Sequence, residues 1–150
     1  MGFSEAVRTC LFEKYVTFSG RASRSEYWYF LLFYFLVVIA LMMLFLLVGG
    51  GLGNLESGEI SGLAYIPAIL GGIFALGMFL PMISVGVRRF HDRNLSGWWY
   101  LGAILAGMIP VVGFLASIAS FVITVLKGTP GQNKFGRDPL GADTNADVFA

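Results

Sequence analysis

The chain has 150 residues, of which 57% are hydrophobic and 13% are charged, and its mean hydropathy is +0.76. A soluble domain of this size would leave much of that apolar surface in water, whereas a bilayer accepts it, so the composition predicts an integral membrane protein. The formal net charge is only +1, whereas nucleic-acid-binding proteins usually carry a large excess of basic residues, so no nucleic-acid partner is expected.

The predicted elements begin with an amphipathic helix at the amino terminus. Apolar residues recur there at near-helical spacing, at Phe3, Ala6, Val7, Cys10, Leu11 and Phe18. We expect this helix to lie on the cytoplasmic membrane surface. Cys10 is the only cysteine, which excludes an internal disulfide and any cysteine-based metal cluster. We expect it to be a small buried hydrophobe.

Two uncharged apolar runs, residues 28–50 and 64–87, are long enough to cross a bilayer. They contain 23 and 24 residues, and a hydrocarbon core of about 30 Å requires about 20 residues of helix. The first run starts too far along the chain for a secretory signal, so we expect a permanent helix. Ser23 and Glu26 stand before it in S-x-x-E spacing, which predicts a capping box. The linker 51–62 carries no Lys or Arg.

The second run contains two features that affect its packing. Pro81 lies deep inside it, which predicts a kink. Four small residues follow one another along it, at Ala68, Gly72, Ala75 and Gly77. Small side chains let a neighbouring helix approach closely, so we expect this to be the most tightly packed helix.

The third apolar run, residues 98–126, leaves two alternatives open. As one helix its 29 residues would extend about 43 Å, longer than the hydrocarbon core, and the segment 110–113 with Pro110 interrupts it. It forms either one kinked, tilted span or a hairpin of two arms, 97–109 and 114–126. The hairpin places all ten Lys and Arg residues on the cytoplasmic side, which favours it.

The expected fold is therefore an all-α integral membrane protein. It would comprise an interfacial helix, two full transmembrane helices and a helical hairpin, in a single domain over residues 1–141. We expect the chain after Phe135 to fray, and residues 142–150 to form a flexible polar tail.

Three polar segments, residues 20–28, 88–99 and 127–139, would meet on one membrane face in the hairpin topology. They supply the candidate residues of a cytoplasmic polar cluster, which are Arg21, Arg24, Glu26, Arg88, Arg89, His91, Asp92, Arg93, Ser96 and Asn133. The guanidinium groups match carboxylate and phosphate geometry, so the cluster forms either a fixed plate of ion pairs or a site for an anionic ligand.

The motifs in these segments resemble those of the bacterial inner-membrane family of unknown function that includes YhaH. Residues 15–28 have the pattern Y-x-x-F-x-G-R-x-x-R-x-E-Y-W. Residues 88–99 have R-R-x-H-D...S-G-W-W, and residues 128–139 have G-T-x-G-x-N-x-F-G-x-D-P. The resemblance covers most of the chain and implies a multi-pass protein of the bacterial inner (plasma) membrane. It implies no reaction.

The sequence favours a non-enzymatic scaffold or interaction protein, with both termini cytoplasmic. Its expected partners are the bilayer, anionic lipid headgroups, and either another copy or a different membrane protein. His91 is the only histidine, so the number of ligands argues against a metal site, and no cofactor is expected.

Two alternatives belong to other functional classes. The first is a small oligomeric permease or channel subunit built around the broken third segment, although no ionisable group lies inside an apolar run. The second is a membrane-embedded enzyme acting on lipid headgroups, with Glu26, His91 and Asp92 as its acid–base groups.

Overall fold

A computed structural model describes residues 1–49 and 61–141 of the chain. Within these ranges the chain forms helices and no β-strand, as expected for an all-helical fold. The helices are α1 (Phe3–Arg8), α2 (Arg24–Gly49), α3 (Tyr65–Asp92), α4 (Gly97–Ala106) and α5 (Pro110–Val125). A π-helical turn, Thr9–Glu13, extends α1, and a 3-10 turn, Gly62–Ala64, leads into α3. The predicted tail 142–150 and nearly all of the linker 51–62 lie outside the described residues.

Helices α2 and α3 are both long and apolar enough to cross a membrane. They contain 26 and 28 residues, and their most apolar 18-residue windows have mean hydropathies of 3.1 and 2.1. The two helices pack together through aromatic rings, with Tyr34 stacked on Phe74 at a centroid distance of 5.7 Å. Large apolar side chains cover their outer faces, including Ile39, Met43, Leu47, Ile73, Leu76 and Phe79. Such surface is suited to lipid.

Burial in α3 is concentrated at its carboxyl-terminal end. Every residue from Ser84 to Asp92 is buried. The small residues expected to pack against a neighbouring helix are instead exposed, and a Cβ atom added at Gly72 or Gly77 would meet no described residue within 4 Å. Helix α3 is thus most deeply buried at its polar end, and its apolar part packs on α2 chiefly through aromatic rings while Gly72 stays exposed. The helix runs without interruption through Pro81, and the bend expected there stays a prediction.

The third apolar segment consists of two helices, but the break lies earlier than expected. Residues 107–109 separate α4 from α5, and Pro110 is the first residue of α5 rather than part of the interruption. Proline is favoured at this position because its fixed φ suits a helix and its missing N–H needs no partner there. A Cβ atom at Gly113 would lie 2.7 Å from the Gly107 Cα, so the tight turn requires glycine.

The two arms of this hairpin begin and end beside the polar end of α3. Tyr100 on α4 packs on Phe90 with ring centroids 5.2 Å apart, and its ring fills the space that a side chain at Gly86 would need. At the end of α5, the carbonyl of Thr124 accepts a hydrogen bond from Trp28 Nε1 at 3.3 Å. The start of α2, the end of α3, the start of α4 and the end of α5 therefore lie at the same end of the bundle.

This arrangement predicts that the amino terminus and the segment after α5 share one side of the membrane. In a Cys10→Ala background, cysteines at the exposed positions Ser4 and Arg137 should both resist a membrane-impermeant maleimide in intact cells and react after permeabilisation. A cysteine at Glu56, in the linker between α2 and α3, should react in intact cells. Opposite behaviour of Ser4→Cys and Arg137→Cys would contradict the shared side.

Candidate functional site

Charged side chains are buried together at the polar end of the helices. Six of the ten predicted cluster residues are less than 9% exposed: Arg21, Glu26, Arg88, Arg89, His91 and Asp92. The side chains of Arg88 and Arg89 are fully inaccessible to solvent. Charges removed from water in this way require ionic and hydrogen-bonding partners, and each of these has at least one.

The first centre of the cluster pairs Glu26 on α2 with Arg88 on α3. The Ser23 hydroxyl accepts a hydrogen bond from the Glu26 amide at 3.1 Å and so caps α2. The Glu26 carboxylate does not complete the predicted capping box, because it accepts a hydrogen bond from Arg88 Nη1 instead. Cys10 joins the pair, with its Sγ 3.9 Å from both Glu26 Oε1 and Arg88 Nη2. Burial, reinforced by the Glu26 charge, raises the pKa of the Cys10 thiol to about 11.

The second centre places one carboxylate between two guanidinium groups. Asp92 Oδ1 lies 2.9 Å from Arg21 Nε and 2.8 Å from Arg21 Nη2. Asp92 Oδ2 accepts a hydrogen bond from Arg89 Nη1. The Arg21 contact joins the loop before α2 to the end of α3, and it spans 71 positions of sequence. Two charged hydrogen-bond partners compensate the loss of hydration at Asp92.

The arginines of α3 also cap the end of α5. Arg89 donates from Nε to the Thr124 carbonyl at 3.0 Å and from Nη2 to the Leu126 carbonyl. Arg93 donates to the carbonyl of Lys127. The last carbonyl groups of a helix lack partners within the helix and carry partial negative charge. Arg89 on α3 satisfies the carbonyls at the end of α5, and Arg93, the residue after α3, satisfies the carbonyl of Lys127 that follows.

The segment after α5 closes over Asp92 and Arg21. The Thr129 amide donates to the Asp92 backbone carbonyl at 2.9 Å. Arg21 in turn donates to the carbonyls of Thr129 and Gly131, both at 2.5 Å. A side chain at Gly128 would collide with the Asp92 carboxylate. Close packing of backbone on the ion pair therefore depends on glycine at this position.

His91 and Asn133 hold the same segment from the other side. His91 Nδ1 lies 3.1 Å from the Gly20 carbonyl, which can only accept, so Nδ1 carries the proton. The imidazole ring stacks on Phe135 with centroids 3.8 Å apart and an interplanar angle of 4°. Asn133 Nδ2 donates to the His91 backbone carbonyl at 3.0 Å. The third motif thus packs on the second through both backbone and ring contacts.

The fraying expected after Phe135 is not observed over residues 136–141. Asp138 closes a turn there, accepting from the Leu140 amide at 2.9 Å and from the Gly131 amide at 3.2 Å. These hydrogen bonds, the one from Leu140 first, lower the pKa of the Asp138 carboxyl below its ordinary value. The local side chain–backbone bonds give this short polar segment a defined conformation.

The remaining predicted residues lie outside the buried cluster. Arg93 is half-buried at its edge, and Ser96 accepts from the Trp98 amide at 3.5 Å as the N-cap of α4. Arg24, at the first position of α2, is exposed. The two arginines of the first motif therefore differ in role, with Arg21 buried in the cluster and Arg24 facing outward.

Several members of the cluster were not predicted from the sequence. Cys10 and Thr129 contact its charged groups, and Ser84 on α3 donates to the Thr17 carbonyl at 2.7 Å, tying down the loop before α2. Most of the hydrogen-bond partners that were not predicted are backbone carbonyls. Every residue has one, so the residue type does not indicate which carbonyl will accept. The Gly128 and Phe135 positions within the third motif are the sequence features that could have indicated this close packing.

The buried charged groups of the cluster are paired with carboxylates and backbone carbonyls of the same chain. Among the buried side-chain polar atoms of the described residues, only Nε of Arg88 lacks a hydrogen-bond partner. The described residues also contain no group of three His, Cys, Asp or Glu side chains that could hold a metal ion. Chemically, the cluster joins the loop before α2, the end of α3, the end of α5 and the following segment into one unit.

Comparison with known proteins finds one family whose model covers most of the chain. Residues 15–137 match the model of a family described as "Protein of unknown function (DUF805)". The matched range starts in the loop before α2, ends in the segment packed on His91, and contains all ten predicted cluster residues. No curated protein and no solved structure matches the chain.

Removing the charge of Asp92 should destabilise the protein severely. Asp92→Asn would leave the buried guanidinium groups of Arg21 and Arg89 without their shared carboxylate, and breaking a buried ion pair in this way costs about 3–5 kcal/mol. We expect that loss in the free energy of unfolding, measured by denaturant titration of the detergent-solubilised protein with circular dichroism.

Asp138→Asn is the matched control for this substitution. Its carboxylate lies 3.9 Å from Arg21 Nη2 and is 23% exposed, so we expect a loss of less than about 1 kcal/mol. Equal effects of the two substitutions would contradict a dominant role for Asp92.

The raised pKa of Cys10 predicts an unreactive thiol. Because the thiolate is the nucleophile, a rise of the pKa from 9.0 to about 11 reduces the thiolate fraction at pH 8 about 100-fold. Alkylation of the folded protein by N-ethylmaleimide should be slower than that of the denatured protein by at least this factor, as measured by mass spectrometry. A Ser4→Cys, Cys10→Ala variant should react equally fast in both states. Rapid alkylation of folded wild-type protein would refute the burial of the thiol.

Proposed function

The chain belongs to the DUF805 family, whose function is unknown, and from this premise we propose that it is a non-enzymatic membrane scaffold or interaction protein. The observation that carries the proposal is the mutual satisfaction of its buried charges. Arg21, Arg88 and Arg89 are bound to carboxylates and backbone carbonyls of the same chain. A cluster of this kind fixes the relative positions of helices and leaves their outer faces available for other molecules.

We infer a multi-pass location in a bacterial inner (plasma) membrane, with both termini cytoplasmic. Two helices have the length and composition of membrane spans. The polar cluster lies at one end of both, and Lys and Arg beside membrane spans favour the cytoplasmic side. The resemblance to the family that includes YhaH points to the same membrane.

The open face of α3 supports association with a second copy or with another membrane protein. Ala68 and Gly72 are exposed, four positions apart, and nothing lies within 4 Å of a Cβ built at Gly72. Leu76 and Phe79, on the same side of the helix, are 78% and 61% exposed. Small-xxx-small spacing permits close contact between transmembrane helices. Among the described residues, none packs against the Gly72 position of this face.

The geometry gives less support to the two alternative functions. The groove between α4 and α5, about 540 Å³ in volume, is lined chiefly by apolar and small residues, including Gly102, Ala106 and Ala116. Such a lining offers little to replace the hydration of an ion. For a headgroup enzyme, Glu26 and Asp92 would have to act as acids or bases while paired with buried arginines.

A bulky side chain on the α3 face should prevent self-association. Gly72→Leu is expected to reduce the yield of dimer severalfold after crosslinking in native membranes, because it separates the two backbones. Gly102→Leu places the same side chain at the groove between α4 and α5, where a Cβ atom meets no described residue within 4 Å, and it should retain the wild-type yield. Wild-type membranes that gave only monomer and no crosslinked partner would contradict the proposed function.

A further inference from the structure

Arg24 is the cluster candidate whose charge the chain leaves exposed. It begins α2 and forms no ion pair with any described carboxylate, in contrast to Arg21 three positions earlier. The buried cluster beside it contains three guanidinium groups and two carboxylates, so it does not neutralise Arg24. Arg24 and Arg93 instead lie close enough to Arg89 to repel its charge. This corner of the protein therefore has an excess of positive charge.

Arg24 opens onto a groove between the start of α2 and the end of α5. The groove has a volume of about 410 Å³ and is lined by Arg24, Ser25, Trp28, Tyr29 and Val125. The groove is an open surface depression rather than an enclosed cavity. The charged and hydroxyl groups come first along α2, and the aromatic rings and the valine form the apolar wall.

The walls of the groove are held in place by contacts within the protein. Trp28 Nε1 donates to the Thr124 carbonyl at 3.3 Å, and its ring packs edge-on against Phe121 at 5.7 Å. The Tyr29 ring packs edge-on against Phe3 at 6.2 Å. The indole and phenol are therefore positioned before any ligand arrives, which reduces the entropic cost of binding.

Ser25 can donate a hydrogen bond into the groove. The Ser23 hydroxyl accepts from the Glu26 amide and lies 3.0 Å from the Ser25 hydroxyl. When Ser23 donates its own proton to Ser25, the proton of Ser25 is free to reach an acceptor beyond the chain. A guanidinium and a hydroxyl donor side by side match the oxygens of a phosphate group.

We propose that the Arg24 groove binds one anionic phospholipid, with its phosphate on Arg24 and Ser25 and its acyl chains along Trp28 and Val125. Arg24 precedes Trp28 by about 6 Å along the helix axis, which places the indole at the depth of the lipid backbone when the guanidinium meets the phosphate. Amphipathic aromatic rings favour that depth. The proposal rests on the membrane location proposed above and names a lipid partner for the same polar end.

The test uses Trp28 as a reporter in protein reconstituted into vesicles. The chain contains three tryptophans, so a Trp98→Phe, Trp99→Phe background leaves Trp28 as the sole tryptophan, whose indole is excited selectively over the tyrosines. Its fluorescence is titrated with brominated phosphatidylglycerol, and separately with brominated phosphatidylcholine, in bilayers of unlabelled phosphatidylcholine. Brominated chains quench only nearby indoles, so the mole fraction for half-quenching reports occupancy of the groove.

We expect phosphatidylglycerol to quench at a mole fraction at least about fivefold lower than phosphatidylcholine, the factor that one basic residue supplies at an anionic surface. Arg24→Gln should abolish this preference. Arg137→Gln, which removes an equal charge from an exposed position, should retain it.

Equal quenching by both lipids in inserted wild-type protein would overturn the lipid site while leaving the scaffold proposal intact. An equal loss of preference in Arg24→Gln and Arg137→Gln would also overturn it, because diffuse surface charge would then explain the effect. Protein that stayed in solution and failed to enter vesicles would overturn the proposed membrane function, and the lipid site with it.

Discussion

The shared carboxylate of Asp92 is the interaction on which the polar end of this protein depends. It lies almost entirely out of solvent between Arg21 and Arg89, which belong to different segments of the chain. Removing three such groups from water costs several kcal/mol per ion, and only close pairing with additional hydrogen bonds compensates this cost. The position of Asp92 therefore constrains the position of both arginines, and through them the loop before α2 and the end of α5.

The arginines extend this constraint because each has more donors than one carboxylate can accept. Arg21 uses its remaining donors on the backbone of the segment after α5, and Arg89 uses its own on the last carbonyls of that helix. Planar guanidinium groups suit this task because they offer several donors in a fixed geometry and remain charged when buried. The hydrogen bonds of Arg21 and Arg89 thus have two effects. They pair the buried charges, and they cap the end of α5.

The sequence predicted those parts of the structure that depend on composition and periodicity. The two long apolar helices follow from uncharged runs whose length matches a bilayer, and the break in the third run follows from its excessive length. The predicted position of that break was wrong. A proline can interrupt a helix or begin one, and the sequence alone does not show that Pro110 begins α5. The small residues of α3 suggested tight packing within the chain, but their spacing does not specify which partner fills the space.

Part of the candidate cluster was predictable in its residues, whereas its connections were not. Charge complementarity predicted that Glu26 and Asp92 would lie within reach of four arginines, Arg21, Arg24, Arg88 and Arg89. The assignment of Glu26 to Arg88 and of Asp92 to Arg21 and Arg89 depends on helix rotation and register, which the motifs do not encode. The sequence also does not predict that the backbone carbonyls of Thr124 and Thr129 are the acceptors, because every residue has a carbonyl whatever its side chain.

The contact between Arg21 and the Thr129 carbonyl also bears on the order of assembly during synthesis. Its acceptor lies 108 positions after its donor, an interval of about 5–20 s at ordinary rates of translation. During that interval α2 and α3 can already form and pack together, while the Arg21 guanidinium still relies on water for its remaining hydrogen bonds. A nascent chain that stalls before residues 127–139 would thus keep the Arg21 guanidinium hydrated, which distinguishes it from the finished protein.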